Sequence, residues 1–274
     1  MKLIHKVEEC AIYESNKHSY ASFSFSSSPQ KSEPPAIKTY LLKLSSSESS
    51  PPSSLDDLMV TMKIKHVTVH AHNSIKFKAQ QVVPLNTFIE ELHSSSSGMA
   101  YTLTLKLLAD IGTQLEQIRA KHSLIIPFLS LEDIIVIVNH EPKDDKQDNS
   151  SDQQQQEQKV FDFVFINSEK LLQPNKSAPK ELIVDVPLKV NKNTSFLPSE
   201  LPEKELKRLP MRLTATSWYY SLSTLCIYAL LQHKFKNGED DIERIGRPFL
   251  HTSLYFCLKR CLKTNPEERV LLYV

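Results

Sequence analysis

The sequence predicts an α+β protein in which a small antiparallel sheet precedes a larger, mainly helical part. Short segments rich in β-branched and aromatic residues, partly alternating with polar ones, occupy roughly the first eighty positions. After Pro84 the apolar residues recur at the helical spacing of three and four. A chain of 274 residues is long enough for two such parts in contact.

The first part, residues 1–84, contains several segments of strand character. They are KLIHKVEECAIY, YASFSF, IKTYLLKL, KHVTVHAH and IKFKAQQVV. Between them lie runs of Ser and Pro, SSSPQKSEPP and SSSESSPPSS, which bury too little apolar surface to become ordered. We therefore expect a small antiparallel sheet whose strands are joined by mobile loops.

The second part, residues 85–274, begins with a helical pattern. LNTFIEEL is its first helix, and a longer helix is predicted from Met99 to His122. The apolar residues that define the buried face of the longer helix are Leu108, Ile111, Leu115 and Ile118. The pattern thus changes from strand to helix near residues 82–85.

A β-hairpin is predicted within this helical part. Two strand-like segments, Ile134–Val138 and Val160–Ile166, flank KDDKQDNSSDQQQQEQ, so the hairpin carries a disordered polar insertion near residues 141–158. Beyond it the sequence predicts an extended segment, a buried helix and a final helix. These are residues 182–190, 213–232 and 252–263.

Composition and charge exclude several classes of partner. Lys and Arg number 33 and Asp and Glu 32, so we expect neither nucleic acid nor an anionic membrane as a partner. Residues 213–232 are uncharged over a length that could span a bilayer, but their Ser and Thr content favours a buried helix. The start, MKLIHKVEECAIY, lacks the apolar stretch of a secretory signal, which predicts an intracellular protein, cytoplasmic or nuclear.

Three motifs in the second part occur in an informative order. SFLPSEL resembles the Ala-Pro-Glu segment that closes the activation loop of protein kinases, with Glu200 at the Glu position. SWYYSLSTLCIYALL resembles the start of the central helix of the kinase large lobe, although Trp218 replaces its Asp, and NPEER resembles the end of that lobe. The resemblance implies a two-lobed protein-kinase-like fold, with lobes 1–84 and 85–274, and a structural ion pair between Glu200 and Arg269.

The catalytic residues of that family are largely replaced. The first glycine is Gly98, so the first part has no phosphate-covering glycine loop. In IIPFLSLEDIIVI, Phe128 lies at the position of the catalytic Asp of the family, and Asp133 lies at the position of a metal-binding Asn. In FVFINSEKL, Asn167 lies at the position of the metal-binding Asp. A phenylalanine cannot accept a proton, and an amide brings no charge to a metal ion. The resemblance therefore implies a pseudokinase and not an enzyme.

One lysine has a place in this comparison. QVVPL resembles the kinase hinge and TYLLKL the third strand, whose phosphate-binding lysine would be Lys43. A vestigial nucleotide site would then comprise Lys43, Asp133 and Asn167, and its ligands would be ATP and Mg²⁺. The replaced residues nevertheless predict no cofactor and no metal site. Lys43 could equally be a solvated strand lysine, and Asp133 a turn-capping residue after Ser130.

The function predicted from the sequence is protein binding, as a catalytically inactive scaffold or regulator with one or more protein partners. One alternative is a weakly active or nucleotide-binding Ser/Thr protein kinase. Another is a peptide-docking module like the non-catalytic kinase large-lobe domains, with residues 1–84 as an unrelated extension.

Overall fold

A computed structural model describes most of the chain. The described residues are 1–8, 10–15, 37–43, 68–71, 74–94, 99–141, 158–175, 178, 180–185, 187–202, 206 and 208–271. The predicted strand YASFSF, the two Ser/Pro runs and nearly all of the polar insertion lie outside these residues.

The first part forms an antiparallel sheet, as its alternating segments predict. Its strands, in spatial order, are β1 (Lys2–Val7), β2 (Cys10–Glu14), β3 (Lys38–Lys43), β5 (Ser74–Ala79) and β4 (Thr68–Ala71). Register places Ile12 opposite Leu42 and Leu42 opposite Ile75, and all three side chains are buried. Alternation along each strand therefore turns one face of the sheet into the protein core.

The predicted hairpin belongs to a second antiparallel sheet. β6 (Gln81–Pro84) pairs with β8 (Ile134–Glu141), and β8 pairs with β9 (Gln158–Phe165). β8 is the central strand of the three, which explains its uninterrupted apolar run. The boundary at residues 84 and 85 marks the change from strand to helix, but β6 is hydrogen-bonded to the second part.

Helices make up much of the remaining structure. They are α1 (Leu85–Ser94), α2 (Ala100–His122), α3 (Ser217–Leu231), α4 (Ile242–Ile245) and α5 (Ser253–Cys261). α2 buries Leu108, Ile111, Leu115 and Ile118, the face predicted from its spacing. Within the described ranges, no helix combines the length and the apolar character needed to cross a membrane.

Two predicted boundaries were wrong around the buried helix. α3 begins at Ser217 and not at residue 213, because Met211–Thr214 forms strand β12, which pairs with β10 (Glu181–Val184). Extended structure in the segment predicted at 182–190 ends at Val184. Backbone pairing with a strand some thirty residues away thus overrides the helical pattern at this end of α3.

The two parts share one hydrophobic core. A continuous buried cluster includes Ile12 and Phe77 of the first sheet, Ile135 of β8 and Leu222 of α3. A smaller cluster surrounds Phe128, packed with residues of β10 and β12. Because its inner face is part of the common core, the first sheet is integral to the fold.

Candidate functional site

A polar cleft lies between the first sheet and the second part. Its volume is about 440 Å³. Two short strands, β7 (Leu129–Ser130) and β11 (Ser195–Phe196), pair beside it and position the segments that line it. The lining residues are Lys6, Val7, Glu8, Ser130, Glu132, Asp133, Asn167, Lys170, Lys189, Val190 and Asn191.

Asp133 is the buried acid of this cleft. It ends the short 3-10 helix Leu131–Asp133, and one of its carboxylate oxygens, Oδ2, accepts a hydrogen bond from the backbone N–H of Ser130 at 2.7 Å. The other oxygen, Oδ1, accepts from Nδ2 of Asn167 at 2.8 Å. Asp133 is therefore the capping residue that its position after Ser130 allows, and it is also in direct contact with Asn167.

Lys170 supplies the positive charge that Asp133 requires. Its Nζ lies 2.6 Å from Oδ2 of Asp133 and 2.8 Å from Oγ of Ser130. The Lys170 side chain is 10% exposed and that of Asp133 is 0% exposed, so the ion pair is largely removed from water. Burial raises the pKa of Asp133, while the Lys170 ammonium and the Asn167 amide oppose that rise.

Phe128 lies beneath Lys170. It is 1% exposed and belongs to the smaller apolar cluster. The Lys170 ammonium lies 4.3 Å from the centroid of its ring, a cation–π contact that adds to the ion pair with Asp133. The position at which the family resemblance implies a catalytic base thus holds an aromatic ring beneath a cation.

Two buried oxygens beside the cleft have no hydrogen-bond partner within the described part of the chain. They are Oδ1 of Asn167 and Oε2 of Glu132, while Oε1 of Glu132 accepts from Thr194 at 2.8 Å. Burying an acceptor without a donor is unfavourable. Two residues that line the cleft therefore each carry one buried acceptor without a donor.

Lys43 does not join this cluster. It lies at the end of β3 with an exposed side chain, and its Nζ is 5.3 Å from the ring centroid of Tyr13 on the neighbouring strand. It is not among the residues that line the cleft, which brings Asp133 and Asn167 together without it. Its exposed position is that of a solvated lysine on a strand, the alternative to a phosphate-binding role.

Lys170 has a structural role that the sequence interpretation missed. The residue follows Asn167 by three positions, and the intervening 3-10 helix Ser168–Lys170 turns its side chain back towards Asp133. The signal available in the sequence was a lysine one helical turn beyond a predicted site residue. This lysine is not one of the residues by which the motifs indicated the fold, so nothing distinguished it from the other lysines of the sequence.

Glu200 and Arg269 form the ion pair that the family resemblance implies. Nη1 of Arg269 donates to Oε1 of Glu200 at 2.9 Å and Nη2 donates to Oε2 at 2.7 Å, a bidentate arrangement. Ser217 donates to the same carboxylate at 2.5 Å. The pair thus joins the segment after β11 to the start of α3 and to the C-terminal segment.

Comparison with known proteins finds distant structural similarity. Two similar solved structures are crystal structures of the PknI kinase domain of Mycobacterium tuberculosis, one of them a mutant. Both have a TM-score of 0.45, and their sequences are 10% and 11% identical to this one. The aligned regions cover 98% of this chain in both cases, and 89% and 88% of the two kinase domains. No family model and no curated protein matches the chain.

Proposed function

We propose that this protein has a two-lobed protein-kinase-like fold that binds protein partners without transferring phosphate. The observation that supports the proposal best is the position of Lys170, whose ammonium lies against Asp133 beside Asn167. In an active site of that kind, these two positions hold a divalent cation that neutralises the phosphates. Here an internal cation takes the place beside the carboxylate.

The electrostatics of the cluster support the same conclusion. A divalent cation would need oxygen ligands at close range, and the Asp133 carboxylate oxygens already receive bonds from Ser130, Asn167 and Lys170. Bringing Mg²⁺ to this carboxylate requires moving the Lys170 ammonium away from it. The buried Phe128 offers no base to accept a proton from a hydroxyl.

Protein binding is the activity that we assign to such a fold in the absence of phosphoryl transfer. The core shared by the two parts supports a whole kinase-like domain over a docking module with an unrelated extension. The nucleotide-binding alternative gains no support from Lys43, which lies outside the cleft. We therefore place recognition on the protein surface around the cleft and around the segment that ends at Glu200.

A thermal-shift experiment tests this proposal. The melting temperature of the wild-type protein is expected to stay unchanged in millimolar ATP, with or without Mg²⁺ or Mn²⁺, because a ligand raises it only by binding the native state. A phosphotransfer assay on a general protein substrate is expected to give no product above the background without protein. A metal-dependent rise in melting temperature together with phosphotransfer would replace the proposal with the weak-kinase alternative.

A further inference from the structure

The outer face of α5 combines an exposed aromatic ring with two cations. The buried side of this helix comprises Leu254, Tyr255, Cys257, Leu258 and Cys261. On the opposite side, the Phe256 side chain is 52% exposed. Arg260 follows it by four residues and therefore shares its face, and Lys263 lies just beyond the end of the helix. Both cations are exposed, and we call Phe256, Arg260 and Lys263 the α5 face.

The charges of the α5 face are not neutralised by the protein itself. Within the described part of the chain, neither Arg260 nor Lys263 makes an ion pair or a side-chain hydrogen bond. Lys259, on the same helix, does have an acidic partner, since its Nζ lies 2.5 Å from Oε1 of Glu243. The α5 face therefore has positive charge available to an acidic ligand beside its exposed ring.

One end of the α5 face adjoins the segment that ends at Glu200. Oγ of Ser199 donates to the backbone carbonyl oxygen of Thr264, the residue after Lys263, at 3.3 Å. Nη2 of Arg269 donates to the same carbonyl oxygen at 3.2 Å and to Oε2 of Glu200 at 2.7 Å. The α5 face is therefore continuous with a surface to which we assign protein recognition.

We infer that the α5 face binds a short acidic peptide segment of a protein partner. An apolar side chain of that segment packs on Phe256, and its carboxylates pair with Arg260 and Lys263. Aromatic and Arg side chains are the types that contribute most to binding energy, and complementary charges around them select the partner. The inference rests on the proposed function, protein binding, and adds to it the chemistry of the partner.

Two other kinds of anionic partner fit the α5 face less well. Sites for anionic lipids contain about four to eight clustered Lys and Arg residues, and nucleic-acid binding likewise depends on many phosphate contacts. Glu267 and Glu268 follow the face in the chain, and both are exposed. They would repel an extended anionic surface, whereas a peptide needs to present only a few carboxylates beside one apolar side chain.

Selection from a random peptide library displayed on phage, with the wild-type protein as bait, tests the inference. The recovered peptides are expected to carry Asp or Glu next to an apolar residue. One of them, synthesised with a fluorescent label, serves as the probe for anisotropy titrations. Its affinity is expected to fall as the salt concentration rises, because exposed charges are screened, and to be lost when its acids are replaced by Asn and Gln.

Matched pairs of variants locate the binding surface. Arg260→Glu and Phe256→Ala are each expected to weaken binding of the probe about tenfold or more. Lys78→Glu and Leu3→Ala make comparable changes at exposed positions of the first sheet, where Leu3 is 50% exposed, and are expected to bind as wild type. All four side chains are exposed, so the melting temperatures are expected to stay close to that of wild type. Lys263→Glu provides a second reversal of charge on the α5 face.

Several results would overturn the inference. A selected peptide that binds the α5-face variants as tightly as wild type would place recognition elsewhere and leave protein binding intact, and recovery of no acidic peptide would also contradict it. Binding to phosphatidylserine vesicles that Phe256→Ala abolishes would replace the peptide by a membrane. Self-association in sedimentation velocity that the same variant abolishes would replace it by a second copy of this chain. Failure of the proposed function is measured separately, by the thermal shift with ATP and by phosphotransfer.

Discussion

Arg269→Ala is expected to destabilise the folded protein by about 3–5 kcal/mol, the cost of leaving a buried charge without its partner. The Arg269 side chain is 0% exposed, and that of Glu200 is 17% exposed. Arg269 also donates to the carbonyl oxygens of Lys263 and Thr264, at 2.8 and 3.2 Å, and to Oγ of Ser199 at 2.6 Å. Its removal therefore takes a donor away from these three oxygens as well as from the Glu200 carboxylate.

Urea unfolding followed by circular dichroism measures this change. Arg244→Ala is a suitable control, because that side chain is 68% exposed and lies 3.9 Å from Asp240, a geometry that contributes little. A loss for Arg269→Ala no larger than that of the control would remove the pair as a determinant of the fold.

The pH dependence of unfolding gives a second measurement of the same pair. Burial alone would raise the pKa of Glu200, but hydrogen bonds from Arg269 and Ser217 outweigh it and hold that pKa below its ordinary value. A carboxyl with a lowered folded pKa contributes stability above its unfolded pKa and loses it as pH falls through the folded value. Wild type is expected to lose this contribution in acid, whereas Arg269→Ala has none to lose.

Lys170→Met is expected to have an effect of similar size, about 3–5 kcal/mol at pH 8, because it leaves the Asp133 carboxylate buried and uncompensated. The burial of Asp133 makes water a poor substitute for the ammonium. The expected loss is smaller at pH 5, since removing Lys170 raises the pKa of Asp133 further and a protonated carboxyl needs no counter-ion.

The double variant Lys170→Met with Asp133→Asn distinguishes the ion pair from simple packing. Removing both charges is expected to recover most of the stability lost in the single variant, measured by urea unfolding at pH 8. If the double variant is less stable than Lys170→Met alone, the methylene chain of Lys170 over Phe128 accounts for its role, and the internal-cation interpretation is wrong.

The sequence by itself determined the class of the fold and most of its elements. Alternation predicted the first sheet, and the helical spacing predicted α1 and α2, because each pattern depends on neighbours within a few residues. The apolar run at Ile134–Val138 predicted a strand for the same local reason, and its central place in the sheet is known only from the structure. Glu200 and Arg269 were predicted as a pair from their motifs, and the structure places them in contact.

Only the tertiary structure decided what lies in the cleft. Whether Lys43 faced the cleft depended on strand register, and the start of α3 depended on pairing between β10 and β12. Lys170 belongs to none of the motifs in the sequence, because its partner Asp133 comes from a segment far away in the chain. Burial and charge at such contacts are properties of the assembled core, which local patterns do not encode.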